Sequence, residues 1–267
     1  MRAYYSLFKM RVLKGLQYRT AAIAGVCTQF FWGIMYIMIF EAFYKSSTTP
    51  QPITYNQLVQ VIWLQQSFLV LFMLWYRDSE LFNQITNGDI AYELCRPSDL
   101  YGLWYAKLIG QRLSGAILRC FPIILIAAFL PKPYRFSLPA DGISFILFLI
   151  TITLALLLIV AISMLIYIST FYTMSPTGSL LMIAVAGEFF SGLIIPVPLM
   201  PSILRKIVYL LPFRYTSDLP FRLYAGNIGL KEGLLSIGVQ LVWILILVWL
   251  GRFLMKRAFK KIVVQGG

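Results

Sequence analysis

A chain of 267 residues that is 60% hydrophobic and only 12% charged cannot fold as an ordinary water-soluble domain, where about a quarter of residues are charged. The formal charge of +13 would suit nucleic acid, but its 23 Lys and Arg are scattered between long apolar runs, which is the pattern of membrane topology and argues against a nucleic-acid partner. There is no histidine, and Cys27, Cys95 and Cys120 lie far apart, so no disulfide framework, metal site or cofactor is expected.

In chain order, residues 1–20 mix Arg2, Lys9, Arg11, Lys14 and Arg19 with Tyr4, Leu7, Phe8, Leu13 and Leu16. This composition predicts a helix lying on the inner leaflet; the basic positions scatter around the helical wheel, which leaves a disordered basic arm as the alternative. Residues 21–40 are apolar over a full spanning length and form the first span rather than a cleaved signal. Further spans are expected at 58–76, 104–130, 143–168, 179–195 and 234–250, with a kink at Pro122 and a stop at Pro131-Lys132-Pro133. The expected fold is an all-α integral membrane protein, one domain over 1–267 with six transmembrane helices.

With both termini cytoplasmic, fifteen Lys and Arg fall inside and eight outside, and the bias sets the orientation. Trp75-Tyr76 and Trp104-Tyr105 bracket the second inner loop, as expected of residues anchored at the headgroups. That loop, 77–103, holds half of the ten acidic residues. Within it, residues 78–88 read as a short helix with Asp78 or Ser79 as N-cap and Gly88 positioned to end it. Leu81, Phe82 and Ile85 share one face of a helix too short to be stable alone, so they need a partner surface. Either the protein's own helices or another subunit would supply it.

The run from Ile85 through Thr86-Asn87-Gly88-Asp89-Ile90 to Leu94 and Pro97 resembles the stretch after span two in type-two ABC exporter permeases. The order of the six spans, the basic N-terminal helix and the segment 196–233 extend the resemblance over nearly the whole chain. The resemblance implies that Leu81, Phe82, Ile85, Gly88 and Asp89 belong to a coupling helix seated on an ATP-binding subunit. It also implies that 196–233 holds short re-entrant helices closing the extracellular end; an ordinary amphipathic outer loop is the other reading of that segment. Ser202 is placed to cap one of these helices. The implied partners are two copies of the ATP-binding subunit, a second permease, identical or sibling, and membrane lipid. The implied location is a bacterial cytoplasmic membrane.

Charges inside spans mark function or structural pairing. Glu188 in span five and Arg119 in span three are therefore candidates, either as an ion pair or as pathway groups, and Gly187 and Ser191 lie on the small-residue face beside Glu188. No glycine is followed by lysine, so the chain lacks a phosphate-binding loop and cannot itself be the ATPase. Catalytic motifs built on histidine are impossible, and the chain is expected not to be an enzyme. A small amphipathic, drug-like or lipid-like export substrate fits best. A secondary transporter or an intramembrane lipid-modifying enzyme are the competing classes, the first wanting internal repeats and the second convergent polar groups.

Overall fold

The computed structural model describes residues 2–17, 19–95 and 99–260; Pro97, and Arg96 and Lys261 among the fifteen inner charges, lie outside them. Helix is the only regular secondary structure among the described residues. Helix α1 is Arg2–Leu16, and α2 is Arg19–Ser46. A capping box, Thr54 with Gln57, starts α3, Tyr55–Ser67, and α4 is the single turn Leu69–Phe72. The inner loop contains α5, Ser79–Thr86, and α6, Ile90–Leu94. Three elements follow: α7, Leu100–Ala128, then α8, Gly142–Thr173, and α9, Pro176–Phe190. Short helices α10, Ser202–Leu210, and α11, Asp218–Tyr224, precede α12, Leu230–Phe259.

Among the described residues, four helices are long and apolar enough to cross a membrane: Thr20–Ser46, Leu100–Ala128, Gly142–Thr173 and Leu230–Phe259. The stretch expected as span two differs. It breaks at Phe68, whose backbone (φ −106°, ψ 11°) leaves the helix, and it is non-helical from Met73 to Asp78. The stretch expected as span five is the 15-residue α9, which ends before Gly192, a glycine at φ +83°. Pro122 sits within the unbroken α7.

Helix α8 is the axis. Over half of its most apolar window is buried inside the protein, against 17% for α2 and 22% for the C-terminal helix, whose outer faces are left for lipid. Within lipid, helices associate by close packing rather than by hydrophobic transfer. Trp63 lies against Gly33 and Leu74 against Gly187, where an added Cβ would come within 2.8 and 2.5 Å. At the end of the bundle that carries the start of α7, Trp104 stacks on Phe171 and Phe171 meets Phe259. Trp104 is buried in this cluster. At the opposite end Ala140 N–H donates to Tyr224 O, and Asn227 Nδ2 donates to the carbonyl of Pro52.

The N-terminal helix lies alongside the first half of α7 and runs in the same sense. Tyr4 meets Gly102, Phe8 meets Gly110, and Gly15 meets Ser114. Its outward face mixes exposed Tyr5, Met10 and Leu13 with Lys9 and Lys14.

Candidate functional site

Helix α5 starts where Asp78 Oδ1 accepts from the N–H groups of Glu80 and Leu81 at 3.0 and 3.3 Å, so of the two N-cap candidates Asp78 is the one used. The other carboxylate oxygen of Asp78 faces Lys107 of α7 at 3.3 Å and Arg11 of α1 at 3.6 Å. Glu80 closes the cluster by pairing with both Arg11 and Lys107. Two cations thus meet two carboxylates on three elements, and Lys107 and Asp78 are almost wholly buried. Partial burial pushes the Glu80 carboxyl up, but Arg11 and Lys107 outweigh it and hold the group below its usual range.

The apolar face of α5 is turned inward. Leu81, Phe82 and Ile85 are buried, and the Phe82 ring sits 4.5 Å from that of Tyr167 on α8. Of the two partner surfaces open to these residues, the protein's own helices are the one in contact. What α5 and α6 offer outward is Asn83, Asn87, Gly88 and Asp89, followed by Tyr92, which is 78% exposed, and Leu94. Gly88 takes φ +82° in the turn between them, so this tip is a bend that a side chain at that position would strain.

Behind α5 lies Arg112, 2% exposed. Its Nη1 donates to the carbonyls of Leu71 and Met73, both at 3.0 Å, and its Nη2 donates to Ser163 Oγ at 2.9 Å and Tyr76 O at 3.5 Å. Leu71 O belongs to the last turn of α4, whose carbonyls have no helical partner, while Met73 O also accepts from Tyr76 N–H at 3.3 Å, and a cation there suits the negative end of the helix.

Glu188 and Arg119 form no ion pair. The Glu188 carboxylate is approached by the indole of Trp75, whereas the Arg119 guanidinium lies across Gly25 of α2, 2.6 Å from where a Cβ would be. Gly187 and Ser191 are buried, Gly187 against Leu74 and Phe213, and Ser191 through its carbonyl, which accepts from Ser217 Oγ at 2.7 Å. The four residues grouped by sequence are therefore two separate places in the fold.

Residues 30–266 match the family described as ABC-2 family transporter protein. The chain belongs to the ABC-2 transporter family. Members are membrane permeases that work with ABC ATP-binding subunits and generally carry no catalysis of their own. No curated protein matches the chain individually.

In this ABC-2 permease, the segment between α9 and α12 folds back onto the bundle. Gln240, ten residues into α12, donates to Thr151 O of α8 and Tyr215 O, which places Tyr215 well below the helix ends. Asp218 receives Arg214 at 3.4 Å and Arg222 at 3.2 Å, all three buried, and Arg214 also reaches Glu232 at the rim. Arg214 lies over the Tyr209 ring at 3.4 Å. Sequence reading missed the pairing. The spacing Arg214, Asp218, Arg222 at four-residue steps was the available signal, because such steps share one helical face. Ser202 is the first residue of α10 and makes no capping bond; Pro201 occupies the cap position.

Proposed function

We propose that this chain is the permease of an ATP-driven exporter, powered by a separate ATP-binding subunit that docks on the outward tip of α5 and α6. The observation that carries this reading is the held helix. Helix α5 is short, is clamped from behind by Asp78, Lys107 and Arg11, and leads through the Gly88 turn to outward-facing Asp89 and Tyr92. A loop with no task would not need a buried ionic clamp, whose desolvation is costly. In this reading Leu81, Phe82 and Ile85 anchor the helix, and Gly88 and Asp89 meet the partner.

Six passes are proposed: α2, the broken α3–α4, α7, α8, α9 and α12, with both termini cytoplasmic and α1 presenting its Lys-bearing face to the inner headgroups. The working unit has two ATP-binding subunits and a second permease, identical or sibling, in a bacterial cytoplasmic membrane. Segment 196–233 closes the outer end. Its close fold against the bundle suits a small amphipathic, drug-like or lipid-like substrate. Glu188 remains a candidate pathway group.

The test is affinity purification of the permease from its native membrane, with thiol labelling. An ATP-binding subunit should copurify in stoichiometric amount. An impermeant thiol reagent should miss the exposed Cys95 in intact cells and reach it in inverted vesicles. Absence of any ATP-binding partner, or labelling of Cys95 from outside, refutes the reading.

A further inference from the structure

Resting on the docking reading above, we infer that Arg112 is the positioning residue through which a displacement of α5 enters the membrane-spanning core. The chain expected as span two breaks at the end of α4. Where α4 ends, the carbonyls of its last turn lose their helical partners, and inside a membrane no water is at hand to replace them. A chain in that position gains by continuing as helix. Here Met73 to Asp78 does not, and the guanidinium of Arg112 takes the carbonyls of Leu71, Met73 and Tyr76 instead. Its hydrogen bonds go to the neutral oxygens of Leu71, Met73, Tyr76 and Ser163, so its fork is spent on shaping this backbone rather than on neutralising an acid.

The same segment is fastened at its other end. Asp78 N–H donates to Tyr167 Oη at 2.7 Å, and the Asp78 carboxylate meets Lys107. Ser163, which accepts from Arg112, lies one helical turn from Tyr167 on α8, and Lys107 lies five residues before Arg112 on α7. Residues 73–78, which turn once where Tyr76 N–H donates to Met73 O, are therefore a strap clipped between α7 and one stripe of α8. A push on α5 cannot travel up α3 as through a rigid rod, because the rod is broken at Phe68 and again at Met73. It is delivered sideways to α7 and α8. From α8 it passes to α12 and the 213–224 segment, which pack on the same helix.

The experiment uses the permease copurified with its ATP-binding subunit in lipid nanodiscs. Hydrogen exchange at residues 191–229, the far end, is compared without nucleotide and with ATP plus vanadate, for wild type, Arg112→Met, Arg112→Lys and Ser163→Ala. The wild-type complex should show at least a twofold nucleotide-dependent change. Arg112→Met should abolish that change while copurification and ATP hydrolysis persist. Arg112→Lys keeps the charge without the fork and should lose at least half of the change, with Ser163→Ala intermediate. A full nucleotide-dependent change in Arg112→Met overturns the inference, and so does a wild-type complex that hydrolyses ATP with no change at the far end. Should Arg112→Met fail to accumulate, a full change in both Arg112→Lys and Ser163→Ala overturns it. Failure of the wild-type permease to bring down any ATP-binding subunit is a different result, and it refutes the docking reading itself.

Discussion

The ring of Phe82 rests 4.5 Å from the ring of Tyr167, tilted by 37°, so α5 is packed onto the central helix by its own apolar face. Phe82→Asp therefore strikes the permease before it strikes any partner. It removes a buried aromatic and leaves a carboxylate facing Tyr167, a loss of about 3 kcal/mol or more. The expected outcome, read by size-exclusion chromatography of the solubilised protein, is reduced recovery of folded permease, whereas Phe82→Leu is tolerated. A Phe82→Asp variant recovered in normal amount but stripped of its ATP-binding subunit would place Phe82 on the docking surface instead.

The outward tip should behave in the opposite way. Asp89→Arg and Tyr92→Ala alter exposed side chains and should leave folding and thermal stability within about 0.5 kcal/mol of wild type. Each should weaken capture of the ATP-binding subunit, by roughly tenfold if it contributes the 1–2 kcal/mol common for interface anchors. Quantitative copurification measures this. Unchanged capture by the double variant moves the docking site elsewhere.

Asp78 serves as N-cap and as partner of Lys107, so its two replacements separate the roles. Asp78→Asn retains a capping acceptor and loses the charge; Asp78→Ala loses both, and the cap alone is worth about 1 kcal/mol. Thermal unfolding of the solubilised permease should rank wild type above Asp78→Asn above Asp78→Ala. Equal melting temperatures would mean that Lys107 and Arg11 are satisfied by Glu80 alone.

Glu80 supplies a pH dependence whose sign is fixed by its neighbours. Its carboxyl is held below the usual value by Arg11 and Lys107 against the opposing effect of burial, so its ion pairs stabilise the fold above about 4.5 and are lost as pH falls below that. Taking the pH from 5 to 3 should lower the melting temperature of wild type more than that of Glu80→Gln. The difference should be small, because half of the side chain is exposed. A larger drop in Glu80→Gln would contradict the assignment.

Because Glu188 faces Trp75 and Arg119 lies over Gly25, exchanging their charges should not repair anything. The double variant Glu188→Arg with Arg119→Glu should be as unstable as the sum of the two single changes, within about 0.5 kcal/mol. Rescue beyond that would require the two side chains to meet.

What the sequence determined by itself is what short stretches of chain decide locally. Apolar runs long enough for a bilayer mark α2, α7, α8 and α12, since nothing else satisfies their backbones in lipid. Asp78 ahead of an amphipathic octet marks the start of α5, because capping is a bond between near neighbours. That Leu81, Phe82 and Ile85 need a cover was legible too, but the cover, Tyr167, comes from 85 or so residues away, and periodicity names a face without naming its partner. Only the tertiary structure decided that the stretch expected as span two breaks. No proline or glycine stands at Phe68 or Met73; the carbonyls of Leu71 and Met73 accept from Arg112, more than thirty residues downstream, and a local reading has no access to that bond. The same holds for charge. Asp78 was visible as a cap, Glu188 and Arg119 as costly, yet which cation meets which anion depends on helix packing, and packing joined Asp78 to Lys107 while leaving Glu188 and Arg119 to other neighbours.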